Sequence, residues 1–346
     1  MSTRPEARRW FGGRATGSSC ADPPKSSAKG NSLARPGSKL IRPQAFGRGD
    51  KVALVAPASS FNKESFLAGC ARLQQMGFEP VYSPDIFERD LYFAGSADRR
   101  LRELVGFLER DDITAILGVR GGYGSNYLLE RLDFQRFVRH RKVLLGCSDL
   151  TSLLTVITDR TGLVTFHGPM VAKDIALGSF EISSWTNALE GASSWDIPAD
   201  GVQVLRAGNA EGRLYGGCLS MLAPSLGTDF EIESDNTILF IEDVAEKPYR
   251  IDRMLMQLRL AGKLKKVRGL VFGEMLDCVQ PGGQDYTLQQ VIMRVLAEYD
   301  VPVVYGLKSG HVTSGNITLP LGVQTQLVAG ESGVQLKILE AATEMR

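Results

Sequence analysis

The sequence of 346 residues lacks several features that would place it in a class at once. No segment approaches the ~20 consecutive apolar residues that a membrane-spanning helix needs. The five cysteines are scattered without a CxxC pair, which favours neither a disulfide framework nor a zinc site. Because His, Asp and Glu also form no ligand cluster, we expect no metal and no other cofactor. A soluble, cytoplasmic protein with reduced thiols is the simplest interpretation.

The sequence as a whole also has no excess of one charge, because it contains 40 Lys and Arg residues and 39 Asp and Glu residues. Residues 1–48 nevertheless carry ten basic and two acidic residues, a net charge of +8, and the remainder carries −7. Residues 1–45 are rich in Gly, Ser, Pro and Arg without an apolar period, which predicts a disordered basic tail. Arg8-Arg9 superficially resembles a twin-arginine export signal, but no apolar segment follows it. The acidic remainder predicts neither nucleic acid nor a membrane as partner.

From residue 46 onwards, short apolar strands alternate with helical patterns. Strands are predicted at 52–56, 78–82, 115–117 and 143–145, and helices over 61–76, 96–108 and 150–160. This alternation is typical of a parallel sheet covered by helices on both faces. We therefore predict an N-terminal Rossmann-like α/β domain over residues 46–175.

The pattern changes after residue 175. Between 176 and 211 the apolar period fails and Gly, Ser, Asp and Trp accumulate, which predicts a linker. Residues 212–346 combine predicted strands, such as 237–241 and 301–305, with helices over 250–261 and 288–298. We predict that they form a smaller, β-rich and barrel-like α+β domain, so the fold class is α/β with a second β-rich domain.

The sharpest local feature is the segment Gly146-Cys147-Ser148-Asp149-Leu150, where a predicted strand turns directly into a helix. In a nucleophile elbow, such a turn presents a side chain above the sheet, and the helix N-terminus offers N–H groups to an oxyanion. Ser148 is the candidate nucleophile. A helix N-cap is an equal alternative, because Leu150 stands where the GxSxG pattern has glycine. Cys147 is a rival nucleophile, with a small buried residue as the alternative.

A serine nucleophile needs a general base, and the sequence has only three histidines. His140 lies in a charged loop and is expected to be solvated. His167 and His311 both suit a general base or a hydrogen-bonded structural imidazole, and spacing does not choose between them. The apolar strand that ends at Glu242 and Asp243 places carboxylates where open sheets present site residues, with an N-cap or edge charge as the alternative.

The segment 118–124 contains four glycines in seven residues. A phosphate-binding loop is one interpretation, but the spacing is not GxGxxG and no P-loop lysine follows. A loop whose backbone N–H groups approach a reacting carbonyl fits at least as well. Arg120 in this loop is a candidate partner for a substrate carboxylate, or else a member of a structural ion pair.

Taken together, these segments resemble the LD-carboxypeptidase family of serine peptidases. The resemblance covers about residues 51–327 and is carried by segments 118–124, 146–149, 165–169, 241–244, 249–255 and 310–311 with 318–322. It implies a triad of Ser148, His311 and Glu242. It also implies an oxyanion hole formed by the backbone N–H groups of Asp149 and Gly122, the latter preferred to Gly121. Arg120 and Gly121 are candidate substrate-binding residues of the glycine loop. Cys147 departs from the family, which usually has an aromatic residue there.

The resemblance further implies a homodimer with a site at the interface of two domains, acting on a small peptide. The expected enzyme is a cytoplasmic serine carboxypeptidase that removes a terminal D-amino acid from L,D-linked murein tetrapeptide in peptidoglycan recycling. The alternative is a self-immunity hydrolase that cleaves peptidyl- or aminoacyl-nucleotide antibiotics of the microcin C type. That branch would use an aromatic side chain to stack on the base, for which Trp185 and Trp195 are candidates, with simple packing as the more usual role of such residues. A non-catalytic nucleotide- or sugar-binding protein is a rival of another class.

Overall fold

The computed structural model describes residues 39–280, 282–283 and 285–345, so residues 1–38 of the predicted tail, with Cys20, lie outside the described residues. The strands are β1 (Lys51–Val55), β2 (Glu79–Val81), β3 (Ile113–Gly118), β4 (Val143–Gly146), β5 (Thr165–His167), β6 (Trp195–Ile197), β7 (Gln203–Arg206), β8 (Gly208–Cys218), β9 (Thr237–Glu242), β10 (Gly269–Gly273), β11 (Val303–Leu307), β12 (Leu319–Leu321), β13 (Gln324–Gly330) and β14 (Gly333–Ile338). The α-helices are α1 (Lys63–Gln75), α2 (Ala97–Glu109), α3 (Phe134–Arg139), α4 (Thr151–Thr161), α5 (Ile182–Leu189), α6 (Leu219–Leu222), α7 (Pro248–Leu260) and α8 (Leu288–Val295). None of these helices is both long and apolar enough to cross a membrane.

The first sheet has the strand order β12-β5-β4-β3-β1-β2. Strands β1 to β5 are parallel, in one of the two common doubly wound orders, where sites form at the carboxyl ends of the strands. Ser96 caps α2 by accepting a hydrogen bond from the backbone N–H of Arg99, as the sequence predicts. The predicted Rossmann-like sheet is confirmed. It also includes β12, which runs antiparallel beside β5 with Leu319 opposite His167.

The second sheet has the strand order β6-β14-β13-β8-β9-β10-β11-β7. Its strands β8 to β11 are parallel neighbours, and the outer strands pair antiparallel. The predicted β-rich second half is therefore confirmed. Its sheet is nevertheless the wider of the two, with eight strands against six in the first.

Strand β9 shows how the two sheets share a core. Ile238 and Phe240 belong to a hydrophobic cluster that also contains side chains of the first sheet, such as Phe166. Leu239 and Ile241 belong to a second cluster that contains the buried faces of α7 and α8. Successive side chains of a strand point to opposite faces, so Glu242 has the parity of Phe240 and faces the first sheet.

The segment 176–211, predicted as a linker, contains regular structure. It holds α5, β6, β7 and the start of β8, and the three strands belong to the second sheet. Helix α5 buries Trp185, Ala188 and Leu189 on one face. Eight residues are too few for a clear apolar period, and β6 and β7 are short strands at the edges of the sheet, so local pattern did not reveal them.

The predicted end of the tail at residue 45 is also too late, because residues 41–45 are ordered. The backbone of Ile41 pairs with Gly162 and Val164, and the N–H of Ala45 donates to the carbonyl of Glu344. Arg42 forms an ion pair with Glu340 at 2.6 Å. All these partners lie far away in sequence, which is why composition alone predicted disorder.

We predict that Trp185→Ala lowers the free energy of unfolding by roughly 3–5 kcal/mol, because the indole is 2% exposed and packs against Phe46, Phe78 and Phe180. Denaturant unfolding measures the change. Ile182→Ala in the same helix is the control, since Ile182 is exposed and its truncation is expected to stay within about 0.5 kcal/mol. Equal effects of the two variants would contradict the assignment of α5 to the core.

Candidate active site

Ser148 lies at the turn between β4 and α4. A short 3-10 turn, Ser148–Leu150, connects the strand to the helix, and Ser148 has a φ of 59°. A non-glycine residue in this left-handed region costs on the order of 1–3 kcal/mol, and such strain is concentrated at functional sites. The side chain of Ser148 is half-buried rather than enclosed. The turn therefore has the geometry of the predicted nucleophile elbow.

The glycine loop follows β3, the strand next to β4, and it lies against Ser148. A Cβ atom on Gly121 would lie 2.7 Å from the Cβ of Ser148, 2.8 Å from its Oγ and 3.2 Å from the backbone nitrogen of Asp149. Any side chain at Gly121 would thus occupy the space beside the serine hydroxyl. Gly122 has a φ of 95°, and a Cβ atom there would meet Ser59 rather than Ser148.

The buried carboxylate of Asp149 holds the glycine loop in place. It accepts hydrogen bonds from the backbone N–H groups of Gly124 at 3.0 Å and Ser125 at 2.8 Å, and the Ser125 hydroxyl donates to the Asp149 carbonyl. Arg100 donates to the carbonyls of Gly124 and Pro57. Burial raises the pKa of Asp149 and the bonds to Ser125 and Gly124 oppose that rise. The sequence predicted a role only for the backbone N–H of Asp149, and no spacing signal pointed to its side chain.

Glu242 and His311 form a hydrogen-bonded pair at the carboxyl ends of β9 and β11. Glu242 is fully buried, and its Oε2 accepts from His311 Nδ1 at 2.8 Å and from the His311 backbone N–H at 3.0 Å. Gly310 has a φ of 90°, and a Cβ atom there would lie 2.5 Å from Cδ of Glu242. Asn316 accepts from the N–H of Gly310 and donates to its carbonyl, which fixes this turn.

Charge and burial act against each other in this pair. Burial alone would raise the pKa of Glu242, but its interactions with the rings of His311 and His167 outweigh it and hold that pKa well below its ordinary value. Burial likewise disfavours the charged form of His311, but the charge and hydrogen bond of Glu242 prevail and raise the pKa of His311 above its ordinary value. His311 is therefore a strengthened base whose Nδ1 is occupied and whose Nε2 is the atom left to accept a proton.

The turn that carries Ser148 and the Glu242–His311 pair both lie at the junction of the two sheets. Gly146 pairs with His167 across β4 and β5, and His167 Nε2 lies 3.7 Å from Glu242 Oε1. On the other side, Thr151 at the start of α4 accepts from the backbone N–H of Cys218, the residue opposite Glu242 in β8. Contacts on both sides of the junction thus join the end of β4 and the first turn of α4 to the end of β9.

Cys147, the rival nucleophile, is buried in a small cluster with Ala58, Leu150 and Met170. Burial raises the pKa of its thiol well above the ordinary value, with Asp174 and Glu242 acting in the same direction. Because the thiolate is the reactive form, these surroundings disfavour Cys147 as a nucleophile. They also show how a small side chain packs at this position.

Three residues at the junction have donor atoms that a metal ion uses. One donor atom each of Cys218, Glu242 and His311 lies within 4.8 Å of the others. Glu242 and His311 already bond to each other, and burial raises the pKa of the Cys218 thiol well above its ordinary value. A metal ion at this group would have to compete with the hydrogen bond between Glu242 and His311.

The surface beside the glycine loop carries aromatic side chains that the sequence did not single out. Tyr92, Tyr123 and Tyr127 are exposed. Tyr123 and Tyr127 line a cavity of about 890 Å³, and Ile232 also belongs to its lining. Trp185 and Trp195 are 2% and 6% exposed, so both pack in the core and neither is available to stack on a ligand. Exposed Arg120 donates to the carbonyl of Ser60 at 2.6 Å.

Two family models match the chain, the LD-carboxypeptidase N-terminal domain over residues 52–168 and the LD-carboxypeptidase C-terminal domain over residues 211–327. The chain belongs to the LD-carboxypeptidase family. The resemblance inferred from the motifs is therefore confirmed, and membership supports a serine peptidase. The two matched regions carry the elbow and Glu242–His311 respectively.

Named relatives fall into two functional groups. The probable murein peptide carboxypeptidase of Bacillus subtilis is 34% identical over 297 residues, covering 84% of this chain and 92% of that protein. The microcin C7 self-immunity protein MccF of Escherichia coli is 30% identical over 323 residues, again covering 84% and 92%. The family thus supports a carboxypeptidase or an MccF-type function.

Solved structures of both groups share the fold. Muramoyltetrapeptide carboxypeptidase from Oxalobacter formigenes has a TM-score of 0.75 at 29% identity, covering 85% of this chain and all of that one. MccF in complex with glutamyl sulfamoyl guanosine has a TM-score of 0.80 at 24% identity, covering 88% and 99%. These neighbours therefore include one with a small bound ligand.

We predict that Asp149→Ala loosens the glycine loop, because two buried N–H groups lose a charged acceptor. The free energy of unfolding should fall by roughly 2–4 kcal/mol. Hydrogen exchange at Gly124 and Ser125 should accelerate more than exchange in the rest of the chain. Asp133→Ala, which removes the exposed N-cap of α3, is the control and should cost about 1 kcal/mol with no change at the loop. Unchanged exchange at Gly124 and Ser125 would refute the anchoring role.

Proposed function

We propose that this protein is a serine carboxypeptidase that hydrolyses an L,D-peptide bond and releases a terminal D-amino acid from murein tetrapeptide. The observation that carries the proposal is the 2.8 Å bond between Glu242 and His311 at the junction that also holds the strained Ser148 turn. The names of the Bacillus and Oxalobacter proteins support murein peptide as the substrate class. We place the enzyme in the cytoplasm, as a homodimer that serves peptidoglycan recycling.

In the proposed reaction, Ser148 Oγ attacks the scissile carbonyl while His311 Nε2 takes its proton. Glu242 keeps the other ring nitrogen bonded, so that the imidazole has one orientation and the imidazolium is stabilised as it forms. His311 then returns the proton to the leaving amine of the D-amino acid. Water, activated by the same histidine, hydrolyses the acyl-enzyme.

The negative charge on the tetrahedral oxygen is assigned to the backbone N–H groups of Asp149 and Gly122. Asp149 is the residue after the nucleophile, which is where an elbow supplies an oxyanion donor. The Asp149 carboxylate secures the glycine loop, so the second donor is held in place before the reaction begins. Gly121 leaves the space beside Ser148 Oγ open for the reacting carbonyl.

A carboxypeptidase must also recognise the free carboxylate of its substrate. Arg120 directly precedes Gly121, which abuts Ser148, and it is exposed with one nitrogen bonded to Ser60. A guanidinium has five N–H donors, so this bond leaves donors for a carboxylate. We assign Arg120 to the terminal carboxylate on that basis.

We predict that Ser148→Ala abolishes hydrolysis of murein tetrapeptide, because removal of a triad nucleophile costs about 10⁶-fold in kcat. Product release is followed by mass spectrometry of the tripeptide and the free D-amino acid. Cys147→Ala is the matched control at the neighbouring position and should stay within about tenfold of the parent. Retention of more than about a thousandth of the rate by Ser148→Ala would remove Ser148 as the nucleophile.

We predict that Glu242→Gln lowers kcat by roughly 10⁴-fold and moves the acid limb of kcat/KM to lower pH. The sign follows from His311: its neutral form is the base, and Glu242 raises its pKa above the ordinary 6.5. Without that charge, the imidazole loses its proton at lower pH. Glu246→Gln, the same change at a partly exposed carboxylate, should leave the profile unchanged. An acid limb that stays in place or moves to higher pH would contradict the pairing.

A second candidate is a hydrolase of peptidyl- or aminoacyl-nucleotide antibiotics, using the same triad. The exposed Tyr92, Tyr123 and Tyr127 beside the glycine loop favour it, because a nucleobase stacks on such rings. Identity of 30% with MccF supports it as well. Parallel incubations with murein tetrapeptide and with an aminoacyl sulfamoyl adenylate, analysed by mass spectrometry, separate the two. Cleavage of the adenylate alone would replace the murein proposal with this one.

A further inference from the structure

One buried histidine takes no part in the proposed reaction. His167 is fully buried at the carboxyl end of β5, and its Nε2 lies 3.7 Å from Glu242 Oε1. Among the described residues, neither of these two atoms has a hydrogen-bond partner, and neither is accessible to solvent. Two unpartnered polar atoms that face each other inside the protein are costly unless one of them carries a proton.

The other ring nitrogen shows where one proton is. His167 Nδ1 lies 3.1 Å from Ser309 Oγ, and the Ser309 hydroxyl lies 2.8 Å from the carbonyl of Ile317. A carbonyl only accepts, so the single hydroxyl proton of Ser309 points to Ile317. Ser309 Oγ must then accept from His167, which means that Nδ1 carries a proton.

That assignment leaves two states for Nε2. In the neutral ring, Nε2 has a lone pair directed at a buried carboxylate oxygen, and both acceptors go without a donor. In the doubly protonated ring, Nε2–H faces Glu242 Oε1 as an ion pair, and each buried polar atom has a partner of opposite character. The doubly protonated ring therefore gives both Nε2 and Glu242 Oε1 a partner of opposite charge, and the neutral ring leaves both without one.

We propose that His167 is a positioning residue that holds Glu242 as an imidazolium, with Nδ1–H on Ser309 and Nε2–H towards Glu242 Oε1. Glu242 then lies between two histidines, with Oε1 facing His167 Nε2 and Oε2 bonded to His311 Nδ1. This division prevents the carboxylate from rotating and keeps one oxygen committed to the general base. The inference rests on the proposed function for its consequence in catalysis, but not for the protonation state itself.

An imidazolium at His167 changes the charge balance of the site. With His311 neutral, the charges of Glu242 and His167 cancel, and in the tetrahedral state the His311 imidazolium is balanced by the oxyanion. A cation beside Glu242 also moderates how strongly the carboxylate raises the basicity of His311. Among the described residues, the other titratable groups that interact electrostatically with this junction include Cys147, Lys173, Asp174, Cys218, Asp243 and Cys278.

Two variants separate the roles of the two ring nitrogens. In His167→Gln, the longer amide reaches towards Glu242 and donates without a charge. In His167→Asn, the shorter amide reaches only Ser309 and leaves Glu242 Oε1 without a donor. We expect kcat to fall less than about tenfold for the glutamine variant and more than about a hundredfold for the asparagine variant. Both should move the acid limb of kcat/KM upward by roughly half a pH unit or more, because each removes a cation near His311.

A direct measurement on the unmodified protein decides the protonation state. The chain has three histidines, so ¹⁵N-histidine labelling gives six ring nitrogens, which His140→Asn and His311→Asn assign by elimination. Both nitrogens of His167 are expected at the chemical-shift position of a protonated ring nitrogen. An unprotonated Nε2 would overturn the proposal, as would an unchanged acid limb in both active variants. Because the spectrum needs no substrate, failure of this inference is distinguishable from failure of the proposed function.

Discussion

The carboxylate of Glu242 has no contact with solvent, yet it remains in its charged form because donors are arranged around it. The conformation of the surrounding backbone fixes the position of this carboxylate and of its donors. The alternation of β9 turns the side chain towards the first sheet, where His167 lies, and not towards α7 and α8. The turn at Gly310 approaches so closely that a side chain there would displace the carboxyl group, and Gly273 approaches its Cβ in the same way. A buried charge of this kind tolerates little movement, because loss of one donor leaves it uncompensated.

The site is assembled from the carboxyl ends of parallel strands in both sheets. The first sheet contributes the glycine loop after β3 and the elbow after β4, which are adjacent strands. The second contributes Glu242 from β9 and His311 from the turn after β11, on either side of β10. Parallel strands bring their carboxyl ends to one edge, so residues far apart in sequence come together without long loops. The shared apolar core then fixes one edge against the other.

The sequence predicted the parts of the fold that depend on local pattern. Short apolar strands that alternate with helices indicate a parallel sheet because such strands are buried on both faces, and the elbow and glycine loop were visible as turns at strand ends. The choice of His311 over His167 came only from the resemblance, since both histidines lie in similar loops. The fold of residues 176–211, the carboxylate of Asp149 and the exposed tyrosines were missed. Each depends on contacts with residues distant in sequence, such as Asp149 with Ser125 or Trp185 with Phe46, which periodicity does not report.

Strand β12 belongs to the second half of the sequence but completes the edge of the first sheet beside β5. Cutting the chain between the two regions that match the family models would therefore leave β5 with an open hydrogen-bonding edge and expose His167 at its end. An isolated first half would carry a ready template for pairing with another copy of itself. For the same reason, exchanging the C-terminal region with that of a relative would replace an edge strand of the sheet that carries Ser148. The two regions must therefore be exchanged together if the first sheet is to stay intact, although they follow one another in the sequence.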